Sequence, residues 1–162
     1  MQISLKSIGI IHSPFTELSG MPIQPTSESN APGHVELYPD YVEGLSDLDG
    51  FSHIYLLYLL HKVQKTKLTV TPFLDTQPHG VFATRAPNRP NPIGLSLVKL
   101  VRIEGNLLYL DKIDILDGTP LLDIKPYIPG FEDTRDIRTG WLENARHSVQ
   151  EARSDRRFLD KS

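Results

Sequence analysis

The densest cluster of chemically useful side chains lies in the stretch GVFATRAPNRPNPIGLS, Gly80 to Ser96. A short strand is expected to end at Arg85 and to open into a loop with three prolines at 86–92, which carries Arg89 and Asn91. Because proline fixes φ, such a loop presents its side chains with little entropy left to lose on binding. Guanidinium groups beside amides suit a carboxylate, a phosphate or a base edge. The pattern is equally typical of a surface turn with solvated arginines.

A second cluster occupies the stretch IDILDGTPLLDIKPYIP, Ile113 to Pro129. Residues 117–120 predict a tight turn between two strands, with the backbone exposed for contacts. After it, Asp123, Lys125 and Tyr127 alternate along one strand face, and we call them the polar row. An acid, a base and a phenol at this spacing can bind a ligand or take a proton. They can also be the solvated face of an edge strand.

Several common sites are absent from the sequence. It has no GxGxxG fingerprint, no Walker loop, no HExxH pair and no Gly-x-Ser-x-Gly elbow. The lack of cysteine excludes disulfides, iron–sulfur clusters, thiolate zinc sites and a cysteine nucleophile. His53 and His61 would share a face in a strand or a helix, so a metal pair stays open. A histidine that makes one hydrogen bond is the favoured interpretation, and no metal site is predicted.

Length and composition indicate one ordinary globular domain. The chain has 162 residues, of which 39% are hydrophobic and 23% charged. The longest apolar stretch without Asp, Glu, Lys or Arg runs from Gly50 to His61, which is too short to span a bilayer. The N-terminus lacks the basic and apolar regions of a signal peptide. We therefore expect a cytoplasmic protein without membrane contact.

The charge is distributed unevenly. Residues 50–103 hold seven basic side chains and one acid, a balance of +6, whereas the other residues sum to −9. Such asymmetry can form a positive face that a polyanion would recognise. If folding interleaves these charges, the surface is neutral instead.

Short apolar runs between turn residues predict a mainly β chain, a small all-β or barrel-like domain. Residues 50–61 fit a buried strand or a helix, and their aromatic and β-branched content favours a strand. Leu121 to Ile128 alternates, with Leu122, Ile124 and Ile128 opposite the polar row. A hairpin turn is expected at 104–106. Other strands are predicted at Ile3–His12, Leu68–Phe73, Leu95–Ile103 and Leu107–Leu116.

The remaining segments are two proline-rich loops and a helix. Loops at 13–34 and 86–92 are of a kind that is usually functional or disordered. At the C-terminus, residues 140–158 predict a helix, because Trp141, Leu142, Ala145, Val149 and Ala152 fall on one face. No repeat is found, so residues 1–162 are expected to form a single domain.

The two clusters resemble the TsaA-like, or TrmO, family of S-adenosylmethionine-dependent tRNA N6-adenosine methyltransferases. The opening IGIIHSPF at Ile8 and GFSHIYLLYLLH at Gly50 add to the resemblance, which covers roughly Ile8 to Pro129. It implies a non-Rossmann β-barrel that binds S-adenosylmethionine and usually forms a homodimer. The implied reaction methylates N6 of threonylcarbamoyladenosine next to the anticodon of tRNA. The chain resembles a short form without the extra C-terminal domain of longer bacterial members.

The resemblance also implies which residues contact the cofactor. They lie in the MPIQPT loop, at the end of the predicted strand at 50–61, in the stretch from Gly80 to Ser96, which we call the arginine loop, and in the 117–120 turn: Gln24, Pro25, Thr26, His61, Lys62, Arg85, Leu95, Asp117, Gly118, Thr119 and Pro120.

The residues that would contact the methyl acceptor, or take its proton, are hypotheses. Arg89 and Arg85 are candidates for a carboxylate of the cofactor or of the threonyl group, and Asn91 for the adenine edge. The acceptor N6 must lose a proton, and the polar row is the candidate catalytic group, with Lys125 adjusting the pKa of its neighbours. Two alternatives stay open, namely methylation of a small molecule or protein, and a non-catalytic barrel that binds nucleotides or RNA.

Overall fold

The computed structural model describes residues 1–19, 21, 31–132 and 134–144. Six strands form a closed antiparallel barrel in the order β1-β2-β7-β6-β3-β8, and β4 pairs with β5 in a separate two-stranded sheet. The strands are β1 (Gly9–His12), β2 (Gly33–Leu37), β3 (His53–Leu59), β4 (Thr69–Val70), β5 (His79–Gly80), β6 (Ile93–Glu104), β7 (Leu107–Asp111) and β8 (Thr119–Pro126). The predicted mainly β barrel is confirmed.

Alternation along β3 shows how the sequence builds the barrel core. Ile54, Leu56 and Tyr58 point inward and are buried, whereas the residues between them are half-buried on the outer face. The same two-residue period along β6 buries Ser96 and Val98. The segment at 50–61, ambiguous between strand and helix in the sequence, is therefore a strand at its centre.

The predicted hairpin between β6 and β7 is also confirmed. Gly105 has a φ of 61°, a left-handed conformation that glycine adopts without a steric cost. The side chain of Asn106 donates to the carbonyl of Leu37 (3.0 Å), and its own carbonyl accepts from the Leu37 N–H (2.9 Å). The turn is thereby fastened to β2.

Several strand predictions are corrected in detail. β1 begins at Gly9 instead of Ile3, β4 covers only two residues of the predicted Leu68–Phe73, and β2 lies where no strand was predicted. No strand ends at Arg85, because Val81–Ala83 forms a 3₁₀ turn after β5. β7 ends at Asp111 instead of Leu116, because Lys112 adopts a left-handed φ of 62° that breaks the extended chain. The residues that follow Lys112 leave the sheet and line a cleft at one end of the barrel.

The inward face of β8 also differs from prediction. Leu121 is fully buried, and Leu122 is only partly buried. The register against β3 shifts between Leu57 and Tyr58, so that Asp123 pairs with Leu57 and Leu121 pairs with Tyr58. This irregularity leaves Leu122 without a partner in the ladder and exchanges the two leucines between faces.

Helical structure is short throughout the described residues. Three-ten segments span Pro39–Leu45, Leu48–Gly50 and Gly140–Asn144, and an α-helical turn spans Pro129–Glu132. The predicted helix at 140–158 begins as the 3₁₀ segment, and its part after residue 144 lies outside the described residues. None of the described helices is long and apolar enough to cross a membrane.

Candidate functional site

A cleft of about 690 Å³ opens at the end of the barrel where β3 ends and β6 and β8 begin. Its wall is mainly apolar, with a few polar side chains, a composition typical of small-molecule sites. The polar and charged groups that line it are His61, Lys62, Thr84, Arg85, Arg89, Asp114 and Thr119. The barrel thus supplies one wall, and the remaining lining comes from the segment between β3 and β6, from the chain after β1 and after β7, and from the 140–144 segment.

Arg89 shapes the loop that carries it. Its Nη1 donates to the backbone carbonyls of Val81 (3.1 Å) and Thr84 (2.9 Å). The guanidinium also lies 5.8 Å from the ring centroid of Phe82, which is 74% exposed. Arg89 therefore lines the cleft and at the same time closes the 81–89 turn, while Arg85 is exposed.

A run of lysines lies beside this loop. The buried Asn88 side chain donates to the carbonyl of Lys65 (3.0 Å), and the Lys67 N–H donates to the carbonyl of Asn88 (3.0 Å). The exposed Lys62 lines the cleft with Arg85 and Arg89, and the exposed Lys67 is hydrogen-bonded through its backbone to the same loop; we call these four residues the basic rim. This rim holds a large share of the positive charge of residues 50–103.

The rest of that charge lies away from the rim. Lys99 pairs with His53 in the middle of β6, six residues beyond Ile93. Arg102 donates to Glu104 (2.7 Å) and lies 3.7 Å from the Tyr109 ring centroid. The charge asymmetry of the sequence therefore becomes a local basic rim rather than a whole positive face.

Of the two histidines considered for a metal, His61 lines the cleft and His53 lies within β3. Burial, followed by the neighbouring Lys62 charge, lowers the pKa of His61, so its imidazole is neutral at pH 7. His53 Nδ1 is 2.9 Å from Ser52 Oγ. Across the described ranges, no three His, Asp or Glu side chains are grouped to hold a metal ion.

The predicted 117–120 turn is attached to the first strand. Gly118 has a φ of 73° and donates its N–H to the Ile11 carbonyl (2.9 Å). Asp117 Oδ1 accepts from the Ser13 N–H (3.0 Å). Thr119 and Pro120 already belong to β8, so the turn is shorter than predicted. Of these four residues, Thr119 lines the cleft.

The other predicted contacts are divided between the cleft and its surroundings. Leu95, 48% exposed, lines the cleft together with His61, Lys62, Arg85 and Arg89. Asn91 is exposed and lies outside the lining. Gln24, Pro25 and Thr26 lie outside the described residues.

The polar row lies on the outer face of the barrel, outside the cleft lining. Lys125 Nζ forms an ion pair with Asp123 Oδ2 (2.8 Å). The Tyr127 ring meets the Tyr55 ring edge-on, with 5.9 Å between centroids. Burial, followed by the Glu132 and Tyr127 charges, raises the pKa of the neighbouring Tyr55.

Sequence reasoning missed a buried polar chain at the cleft. Ser96 Oγ donates to Asp114 Oδ1 (2.6 Å), and Tyr58 Oη lies 2.9 Å from Ser96 Oγ. Because the single Ser96 proton is committed to Asp114, Tyr58 must be the donor to Ser96. Burial raises the pKa of Asp114 to about 6, against smaller opposing effects of Ser96 and Arg85. The signal in the sequence was an inward-facing serine and tyrosine in otherwise apolar strands.

Trp141 is a second residue of the site that was not predicted from the sequence. It lines the cleft, donates its indole N–H to the Ala83 carbonyl (2.8 Å) and stacks on His79 at 4.6 Å. His79 in turn pairs with Asp75 (2.8 Å), and this hydrogen bond is the main cause of the lowered pKa of Asp75. The 3₁₀ segment at 140–144 is thereby held against the arginine loop.

Comparison with curated proteins shows extensive similarity. A probable S-adenosyl-L-methionine-binding protein of Pyrococcus abyssi is 51% identical over 159 residues, which cover 98% of this chain and 86% of that protein. The tRNA (adenine(37)-N6)-methyltransferase of Escherichia coli K12 is 36% identical over 150 residues, which cover 86% of this chain and 64% of the enzyme.

The fold is shared with solved structures. The crystal structure of TrmO from Pseudomonas aeruginosa matches with a TM-score of 0.73 and 43% identity, over 87% of this chain and 63% of that one. The chain thus spans under two thirds of the length of these methyltransferases. The family model for the tRNA-methyltransferase O N-terminal domain matches residues 10–133. The chain belongs to this TrmO family.

Proposed function

We propose that this protein is an S-adenosylmethionine-dependent methyltransferase that methylates N6 of an adenosine next to the anticodon of tRNA, with threonylcarbamoyladenosine as its acceptor. The observation that carries the proposal is the cleft, with its apolar wall, few polar groups and basic rim. Relatives named S-adenosyl-L-methionine-binding proteins and tRNA (adenine(37)-N6)-methyltransferases support both halves of the reaction.

The cleft residues fit S-adenosylmethionine. A volume of about 690 Å³ lies in the range of small-molecule sites, and apolar side chains such as Leu60 and Phe73 suit an adenine ring and the methylene groups of the methionyl chain. Arg85 is the candidate for the methionyl carboxylate, and Thr119 for a polar contact. We also retain His61, Lys62, Leu95 and the 117–120 turn, together with Gln24, Pro25 and Thr26, as proposed contacts.

When bound, S-adenosylmethionine supplies a methyl group already activated by a positively charged sulfur. The chain must position the acceptor nitrogen and accept one proton. The Arg89-closed loop holds Arg85 at the rim, where either guanidinium can meet the carboxylate of a threonylcarbamoyl group. Asn91 remains a proposed contact for the adenine edge. Neutral His61 adds no charge beside the sulfonium.

The basic rim supports tRNA as the partner. Lys62 lines the cleft and Lys67 is exposed next to the loop that carries Arg85, so both are candidates to meet phosphates flanking the target nucleotide. The exposed Phe82, next to Arg89, offers a face on which an unstacked base could stack. With tRNA as acceptor, we propose the cytoplasm as the site of action.

A homodimer is proposed from the outer face of the β3–β6 pair. The outward cross-strand pairs there are Leu57 with Leu95 and Leu59 with Ile93, where a solvated barrel face would carry polar residues. Leu95 and Ile93 are both exposed and both line the cleft. A second copy on this face would cover the apolar strip and border both clefts. Sedimentation of wild type and Leu57→Lys tests this, because a monomeric wild type would contradict it.

The polar row is retained as a proposed proton-handling group on the same outer face, beside Leu57. Tyr127→Phe is expected to leave S-adenosylmethionine affinity unchanged and to slow methyl transfer. A single-turnover rate equal to that of wild type would remove Tyr127 from the mechanism.

The decisive experiment is a methyl-transfer assay. Purified protein is incubated with labelled S-adenosylmethionine and tRNA carrying threonylcarbamoyladenosine, and the nucleosides are analysed by mass spectrometry. A methyl group on that nucleoside is the expected result. Cofactor binding without transfer would indicate a small-molecule or protein acceptor, and RNA binding without cofactor binding would indicate a recognition module.

A further inference from the structure

Asp114 lines the cleft, but none of the proposed contacts with the cofactor or the acceptor involves its carboxyl group. It belongs to the segment released when the chain leaves the β7 ladder at Lys112. It is largely enclosed by protein, and its Oδ1 is occupied by Ser96. An enclosed carboxylate that lines a cleft is costly to keep charged unless it serves a ligand or a proton.

The groups around Asp114 leave its charge only weakly compensated. Ser96 from β6 donates to it, Tyr58 from β3 donates to Ser96, and Arg85 from the loop acts on it at longer range. No residue in the described part of the chain forms an ion pair with Asp114. The Asp123 carboxylate of the polar row differs from Asp114 in both charge compensation and position, since it is paired with Lys125 and lies outside the cleft.

We propose that Asp114 is the catalytic base that accepts the N6 proton of the acceptor adenosine, and that Ser96 and Tyr58 are positioning residues that hold its carboxylate. The proposal rests on the proposed function. It is an alternative to the polar row, because the single N6 proton can be accepted by only one of the two groups. The bond between N6 and its hydrogen breaks as the N6–methyl bond forms. The sulfur–methyl bond breaks with its electron pair returning to sulfur, and the proton goes to the Asp114 carboxylate, which later releases it to solvent.

The protonation behaviour of the site agrees with this role. With its pKa raised to about 6, Asp114 is mostly ionised at pH 7 and yet more basic than an ordinary aspartate. A general base contributes about 10²–10⁴-fold to a rate. The hydrogen bond from Ser96 favours the ionised form, so its loss must raise the pKa further.

The test measures single-turnover methyl transfer from pH 5 to 8.5, with saturating S-adenosylmethionine and threonylcarbamoyladenosine-containing tRNA. Wild type is expected to gain rate with pH, with a midpoint near 6. Asp114→Asn is expected to lose roughly 100-fold or more in rate. Calorimetry should show its S-adenosylmethionine affinity within about threefold of wild type. Ser96→Ala should keep the plateau rate and move the midpoint to higher pH, a shift that a merely structural role would not produce.

The controls separate the possible failures. Asp40 is an exposed aspartate in the Pro39–Leu45 segment, distant in sequence from the residues that line the cleft. Asp40→Asn should therefore keep the wild-type dependence of rate on pH. A wild-type rate in Asp114→Asn, a loss confined to cofactor affinity, or an unmoved midpoint in Ser96→Ala would overturn the assignment. So would loss of the pH dependence in Asp123→Asn with its retention in Asp114→Asn. If wild type transfers no methyl group at all, the proposed function fails as well.

Discussion

The ring of Tyr58 occupies the space in which Gly94 would carry a side chain. A Cβ built on Gly94 would overlap three atoms of that ring, and the two residues face each other across the β3–β6 ladder. The missing side chain lets the phenol pass over the strand and reach Ser96, which donates to Asp114. A glycine in the PIGLS stretch therefore shapes the floor of the cleft.

Gly94→Ala is expected to destabilise the fold by about 1–3 kcal/mol, because the buried Tyr58 ring cannot move aside without strain. Urea denaturation measures the change. Gly50→Ala is the matched control, since a Cβ there meets nothing within 4 Å. The cost of Gly94→Ala should shrink in a Tyr58→Leu background, and an undiminished cost would show that Tyr58 is not the group displaced.

Asp114→Asn is expected to stabilise the protein at pH 8 by on the order of 1–3 kcal/mol. The folded pKa of Asp114 lies above the value of about 3.9 for an unfolded chain, so stability is lost as pH rises between about 4 and 6. The asparagine removes this cost and can still accept from Ser96. Thermal unfolding of both proteins at pH 4 and pH 8 measures it. A stability gain that does not shrink towards pH 4 would contradict the raised pKa.

Trp141 should report ligand binding directly, because it is the only tryptophan in the chain and it lines the cleft. Titration with S-adenosylmethionine is expected to change its emission, with a midpoint equal to the calorimetric Kd. Trp141→Phe should lose the signal. Unchanged emission in wild type at calorimetric saturation would place the cofactor away from the 3₁₀ segment at 140–144.

Arg85→Ala is expected to weaken S-adenosylmethionine binding by about tenfold or more, the effect of losing a charge-assisted contact worth roughly 1.5–3 kcal/mol. Arg85 lines the cleft and is exposed, so its removal should leave the melting temperature unchanged. Arg89→Ala should instead lower the melting temperature, because Arg89 closes the loop through backbone carbonyls. Equal calorimetric affinity of Arg85→Ala and wild type would exclude the carboxylate contact.

The basic rim predicts salt-dependent tRNA binding. Lys67→Ala should weaken binding and reduce the slope of log K against log salt by about one. Lys99→Ala, which changes another exposed lysine in the middle of β6 and outside the cleft lining, should leave the slope unchanged. Fluorescence anisotropy across a salt series measures both. Equal slopes for Lys67→Ala and wild type would place the tRNA elsewhere on the barrel.

Local patterns in the sequence were sufficient for five of the six barrel strands in outline and for the arginine loop, whereas β2 was not predicted and its first residues were assigned to a loop. The aromatic and β-branched content of residues 50–61 and the Gly105 turn each express a short-range preference, so they were visible without the structure. The family resemblance placed His61, Arg85 and Leu95 at one cofactor site, and all three line the cleft. The cofactor roles of these three residues remain predictions, as do the roles of residues 24–26 and of the polar row.

The tertiary structure alone decided which polar groups meet. Asp114 follows Ser96 by 18 residues and Tyr58 precedes Ser96 by 38, and only the pairing of β3 with β6 and the break after β7 bring the three together. The exchange of Leu121 and Leu122 on β8 likewise depends on a register shift against β3. Local preferences act over a few residues, whereas register and closure are set by the packing of the whole barrel, which a single sequence does not display.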